Sequence, residues 1–238
     1  MKRVLLGLMV AAMSLSTSGV VQAQAVESVL SGLAIGVDQG SAQNPYRGAD
    51  ADRQLQAIVS FRSRNLRLAP DSIDYRALDT ETADLWLRAR YRDDGYDLGD
   101  GVGAVSAHSH GKGLWIGARS IVTTPWTDLQ TTFMAGASSE AKGDTLSFRL
   151  TRKFVYGSIT MAPRASVTRL SANYVDHFYG VDSVTRNAPG FSGSPAWSRE
   201  LGAQVAWKLD EHQVISLDIM TTHLGGAITS SPLVVKVQ

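Results

Sequence analysis

The stretch RELGAQVAWKLDEHQVISLDI, Arg199 to Ile219, decides how the chain folds. Leu201, Ala203, Val205, Trp207 and Leu209 fall on one face of an extended segment. Gly202, Gln204, Ala206 and Lys208 fall on the other. A polar connection, Asp210 to His212, leads into Ile215, Leu217 and Ile219, which alternate with Ser216, Asp218 and Met220. Successive side chains of a strand point to opposite faces, so a period of two on both sides of a short polar turn is a β-hairpin.

Working outward, the same period recurs. Leu146, Phe148 and Leu150 alternate with Ser147, Arg149 and Thr151; Leu129, Thr131, Phe133 and Ala135 with Gln130, Thr132, Met134 and Gly136. Leu85, Leu87, Ala89 and Tyr91 alternate with Trp86, Arg88, Arg90 and Arg92, and Leu55, Ala57, Val59 and Phe61 with Gln54, Gln56 and Ser60. Weaker strand signals cover Leu33–Val37, Leu66–Leu78, Leu114–Val122, Phe154–Met161 and Arg164–Leu170. Breaker-rich stretches separate them at Gln39–Arg53, Asp93–Gly103, Ser138–Gly143 and Arg186–Ser198. No segment sustains a capped 3.6-residue period, and Val26–Leu30 is at most one helical turn. The expectation is an all-β chain of about 10–12 antiparallel strands in one domain.

Alternation does not say which face meets water. A soluble barrel turns its apolar face inward, whereas an outer-membrane barrel turns it to lipid and keeps Arg, Asp, Gln and Ser inside. Strand periods of about nine to ten residues suit a tilted crossing of a bilayer. Tyr91, Trp126, Tyr156 and Trp207 sit near strand ends, where an aromatic girdle belongs. A transmembrane β-barrel is therefore the expected architecture.

The amino terminus reads as an export leader. Lys2 and Arg3 precede an apolar run from Val4 to Met13, and Ala23-Gln24-Ala25 gives a small-residue cleavage pattern, with cleavage after Ala23 or Ala25. Residues 1–25 are then the leader and 26–238 the barrel. Without Lys2 and Arg3, 21 basic residues face 22 acidic ones, so the exported chain carries about −1. That balance, with arginines scattered rather than clustered, argues against an electrostatic nucleic-acid binder. The absence of cysteine excludes disulfides, thiolate metal sites, a catalytic Cys and a lipidated anchor.

Candidate chemistry is sparse. In PGFSGSPAW, Pro189 to Trp197, the nucleophile-elbow pattern fails, because Ser194 stands where the second glycine should follow Ser192. His108 and His110 could share one strand face, with Asp94, Asp97 and Asp100 upstream, but a metal needs a third ligand and a second shell. A polar Gly/Ser/His loop is the preferred reading there. Asn44, Tyr46, Arg47, Asp50, Asp52 and Arg53 read as a solvated connection. In SANYVDHFYGV, Ser171 to Val181, Asp176 and His177 stand side by side among aromatics; as neighbours in an extended chain they would point apart and form no dyad. They are read as polar groups of a loop at the barrel rim. No phosphate loop or nucleotide fingerprint occurs, and neither cofactor nor metal is expected. Two alternatives stay open: a periplasmic hydrolase using Asp176/His177 or Ser192, and a soluble barrel with an apolar ligand.

Several of these segments resemble the MipA/OmpV (MltA-interacting protein) family of outer-membrane proteins. The stretch from Ala34 to Leu78, with NPYRGADADRQLQAIVSFRSRNLRLAPDSIDYRAL and its Tyr46, Gly48 and Asp50, resembles its opening. Tyr174, the Phe178-Tyr179-Gly180-Val181 signature, the 199–219 hairpin and Ser231-Pro232 resemble its closing region. The resemblance implies a non-enzymatic outer-membrane barrel without catalytic residues, embedded in outer-membrane lipid. It further implies a scaffold between a murein hydrolase and a murein synthase, or a surface or porin-like protein. Only LVVKVQ follows Pro232, short of the roughly 9–11 residues of a spanning strand, so the last strand should be short or missing.

Overall fold

The computed structural model describes residues 12–13, 32–42, 45–46, 52–93, 112–181 and 190–234. The leader apart from Ala12 and Met13, Val26–Leu30, Asn44, Arg47, Gly48, Asp50, Asp94–His110 and the residues after Val234 lie outside them.

One sheet carries nearly everything. Its strands are β1 (Ala12–Met13), β2 (Gly32–Ala42), β3 (Asp52–Arg62), β4 (Leu66–Ala69), β5 (Ser72–Asp79), β6 (Ala83–Asp93), β7 (Lys112–Thr123), β8 (Asp128–Gly136), β9 (Asp144–Thr151), β10 (Phe154–Tyr156), β11 (Ile159–Leu170), β12 (Ala196–Lys208) and β13 (Val214–His223). From β2 onward, β9 and β10 counted as one strand, neighbours in sequence are antiparallel neighbours in the sheet, an up-and-down meander. β1, in the stretch read as a leader, lies parallel to β2.

Two segments expected as loop are partly strand: in Gln39–Arg53, β2 runs on to Ala42 and β3 begins at Asp52, and in Arg186–Ser198, β12 begins at Ala196. β10 continues β9, because Thr151 stands opposite Arg164 and Phe154 opposite Met161 in one register. The break falls opposite Pro163, which has no N–H to give the ladder. Arg152 N still donates to the Pro163 carbonyl, 3.2 Å away.

The faces resolve the fork left by the alternation. On β6, Leu87 is 52% exposed whereas its neighbour Arg88 is 7% exposed. On β13, Ser216 and Asp218 are buried and Ile215, Leu217 and Ile219 exposed. The wall is apolar outside and charged inside, as a barrel in lipid requires and a soluble barrel with an apolar cavity does not. Tyr91, Trp126, Tyr156, Trp197 and Trp207 are exposed at the strand ends. Trp197 and Trp207 share one face of β12 ten residues apart, about 33 Å along the strand and about 25 Å across a bilayer after the usual tilt, the height of a lipid-facing band.

The two ends differ. Connections at one end are short turns, such as 80–82, 124–127 and 157–158; at the other they are long, as at 43–51, 94–111 and 171–195. Between β2 and β13, which run the same way, the described residues form no direct ladder. An isolated antiparallel bridge, Tyr46 opposite Val234, joins the two ends of the chain. Of the segment after Pro232, where a short or missing last strand is expected, only Leu233 and Val234 are described, and Val234 forms that bridge. Among the described residues no helix is long and apolar enough to cross a membrane, which says nothing about a barrel.

Candidate functional site

The stretch expected to be a rim loop is a helix. Ser171 to Gly180 folds as α1 (Ala172–Tyr179), too short to announce itself by sustained period, yet capped at both ends. Ser171 Oγ accepts from Tyr174 N at 3.3 Å and from Asp144 N at 2.9 Å, tying the helix start to β9. Gly180 N donates to the Asp176 carbonyl at 2.8 Å. Tyr174, Val175, Phe178 and Tyr179, spaced i, i+1, i+4 and i+5, form one buried stripe.

That stripe closes the loop end of the barrel. Tyr174 and Phe178 pack at 4.7 Å between ring centres, and Trp115 of β7 meets them at 5.6 and 6.3 Å. Tyr46 stacks on Tyr179 at 5.5 Å. Met134, Leu170, Ala196, Leu233 and Ile228 of α2 (Gly226–Thr229) complete the apolar cluster. The carbonyls at the end of α1 take side-chain donors: Tyr46 Oη donates to the Phe178 carbonyl at 3.4 Å and Ser231 Oγ to that of Tyr179 at 2.7 Å. Val181 and Phe191 exchange two backbone hydrogen bonds of 2.9 Å.

Tyr46, Tyr174, Phe178, Tyr179, Gly180, Val181 and Ser231, from both ends of the chain, thus meet in one plug, with Pro232 following Ser231 into it. Tyr174, Phe178 and Tyr179 are buried there and do not form a lipid-facing rim; the short helix turns them all inward. Gly48 and Asp50 fall outside the described residues.

Asp176 and His177 hold the plug's neighbours. Asp176 Oδ1 accepts from Gly193 N at 2.7 Å, and His177 Nε2 lies 3.4 Å from the Glu140 carbonyl. A Cβ on Gly193 would overlap the backbone nitrogen of Asp176, so the glycine of the Pro/Gly loop permits close approach to α1. Ser192 beside it is exposed.

Beneath the plug the lumen is filled with paired charge. Asp74 of β5 accepts from Arg88 of β6 at 2.6 and 2.8 Å and from Arg119 of β7 at 2.9 Å. The guanidinium groups of Arg67 and Arg76 lie 3.9 and 4.5 Å from the Trp86 ring centre, at cation–π distance. Across the lumen Arg164 forks onto Asp218 at 2.7 and 2.6 Å, while Glu200 accepts from Ser166 at 2.7 Å and faces Arg149 at 3.5 Å. Trp86, Arg119 and Asp218 are 0–1% exposed, whereas Arg149, Arg164 and Glu200 on the same inward face are partly exposed. The alternating positions were legible as an inward polar face; which carboxylate serves which arginine was not.

The family model described as MltA-interacting protein MipA matches residues 35–237. The chain belongs to the MipA family. It is similar to the "Putative outer membrane protein YiaT" of Escherichia coli O157:H7, 19% identical over 207 residues, covering 85% of this chain and 84% of the relative. The protein of the same name from Escherichia coli strain K12 matches with the same identity and coverage. No solved structure matches. Family membership and the inverted wall place the protein in the outer membrane as a β-barrel.

Proposed function

We propose that this MipA-family barrel is a non-enzymatic, non-conducting scaffold of the outer membrane, exported by a leader cleaved after Ala23 or Ala25. Its partners are a murein hydrolase and a murein synthase. The observation that carries the reading is the filled interior. Trp86, Arg119 and Asp218 are 0–1% exposed on the inward face, and the apolar cluster around α1 lies at the loop end. Wide aqueous channels belong to barrels of roughly 16–18 strands, whereas small barrels are filled by side chains. The name of the family supplies the hydrolase partner, MltA. Asp176, His177 and Ser192 act in the proposal as parts of the plug and its loop, not as an active site.

The test has two arms. The full chain in planar bilayers gives no discrete conductance steps, and steps as large as those of a general porin overturn the closed lumen in favour of a porin-like passage. Immobilised in detergent, the same chain retains purified MltA, and failure to retain it overturns the scaffold. Alanine at His177 and Ser192 leaves both readouts unchanged.

A further inference from the structure

On the outer wall at the loop end, three strands bring cations together. Arg169 of β11 stands opposite Trp197 of β12, and Arg199 of β12 stands opposite His223 of β13. All four share the outward face with Leu201 and Ile219, which are exposed. Directly opposed residues have Cβ atoms about 4.5–5.5 Å apart and diagonal ones about 7–8 Å, so Arg169 and Arg199, diagonal across the β11–β12 ladder, form one compact patch with Trp197 and His223.

Charge separates this patch from the rest of the wall. Inside the lumen, Arg88, Arg90, Arg149 and Arg164 each have a carboxylate within 3.5 Å. Arg169, Arg199 and His223 have none among the described residues, and no hydrogen bond of their side chains replaces one. Asp144 is the one described carboxylate on the neighbouring outward face, diagonal to Arg169 across the β9–β11 ladder, and it makes no ion pair with the patch. Uncompensated cations on a lipid-facing wall cost little only near the interface, where headgroups reach them. The patch sits at that level: Trp197 marks the girdle, and the apolar band of Leu201, Val205 and Ile219 begins just below.

The anion must therefore come from the membrane. Long loops of outer-membrane barrels face outward and short turns face the periplasm, so the patch lies in the outer leaflet. We propose that Arg169 and Arg199, flanked by Trp197 and His223, bind the phosphate of the phosphorylated glycolipid of that leaflet, with Trp197 lying along its sugar and acyl boundary. Juxtaposed guanidinium groups suit phosphate oxygens, which accept two parallel N–H bonds from each fork.

The full chain, folded in detergent, is titrated with lipid A, with dephosphorylated lipid A and with phosphatidylglycerol, and bound lipid is read by native mass spectrometry. Lipid A binds the native protein, and Arg169→Gln with Arg199→Gln weakens it about thirtyfold, the effect of two surface cations near an anionic headgroup. Arg152→Gln at the opposite girdle leaves binding unchanged, and heat-modified gel mobility shows all variants folded. Equal retention by the double variant overturns the proposal, as does equal binding of dephosphorylated lipid A. Phosphatidylglycerol binding as tightly as lipid A overturns the assignment to the outer leaflet.

Discussion

Replacing Asp74 by Asn tests whether the lumen is packed or wet. In the native wall Asp74 is 3% exposed and receives three hydrogen bonds of 2.6–2.9 Å from Arg88 and Arg119, themselves 7% and 1% exposed. Asparagine keeps the shape but removes the carboxylate that, among the described residues, both guanidinium groups share. Removing one member of a buried pair leaves an uncompensated buried charge and costs about 3–5 kcal/mol. Two arginines share this carboxylate, so the upper part of that range applies. With a urea slope of about 1–3 kcal/mol per molar, the unfolding midpoint in detergent falls by at least about 1 M. The shift is read from the heat-modifiable gel band or tryptophan fluorescence. Adding Arg119→Gln removes one of the stranded charges and restores part of the loss, a coupling that independent sites do not show. A loss below about 1 kcal/mol for Asp74→Asn is the cost of a solvated pair, and it would refute the closed interior.

Two further substitutions probe the wall and the plug. Ile219→Arg, opposite Ala203 near the middle of the apolar band, destabilises the barrel in lipid by about 2–4 kcal/mol, whereas Leu209→Arg beyond the Trp207 girdle costs about 0–1 kcal/mol. Equal effects at the two positions, measured by urea titration in vesicles, would mean that no bilayer separates them. Gly193→Val pushes the Pro/Gly loop off α1 and opens the plug to limited proteolysis between residues 171 and 195 while the strands stay protected; an unchanged cleavage pattern removes Gly193 from that role.

The wall was legible in the sequence because period two carries both strand and face, and the 199–219 hairpin lies where the alternation put it. The girdle positions Tyr91, Trp126, Tyr156 and Trp207 followed from their places at strand ends. Helix α1 was not legible as a helix, although the signal existed: Ser171 as a cap three residues before Tyr174, then apolar residues at i, i+1, i+4 and i+5. The stretch spans barely two turns, too few for periodicity to outweigh β-rich surroundings. Asp176 could not be assigned from sequence, since its partner is the backbone N–H of Gly193, seventeen residues on. Likewise alternation marks Asp74, Arg88 and Arg119 as inward but is blind to pairing, which depends on strand register.

The meander has a kinetic consequence. Each ladder from β2 to β13 joins strands close in sequence, so the wall can grow one hairpin at a time with little loop closure at any step. The contacts that tie the chain's beginning to its end are of another kind. Tyr46 reaches Phe178 and Tyr179 across more than 130 residues and Val234 across more than 180. Such links carry the loop-closure entropy that the hairpins avoid, so they form late and loosen first on heating. The plug is then the clasp of the barrel. Its aromatic contacts, few beside the ladders, govern whether the two ends of the molecule act as one unit or fray apart.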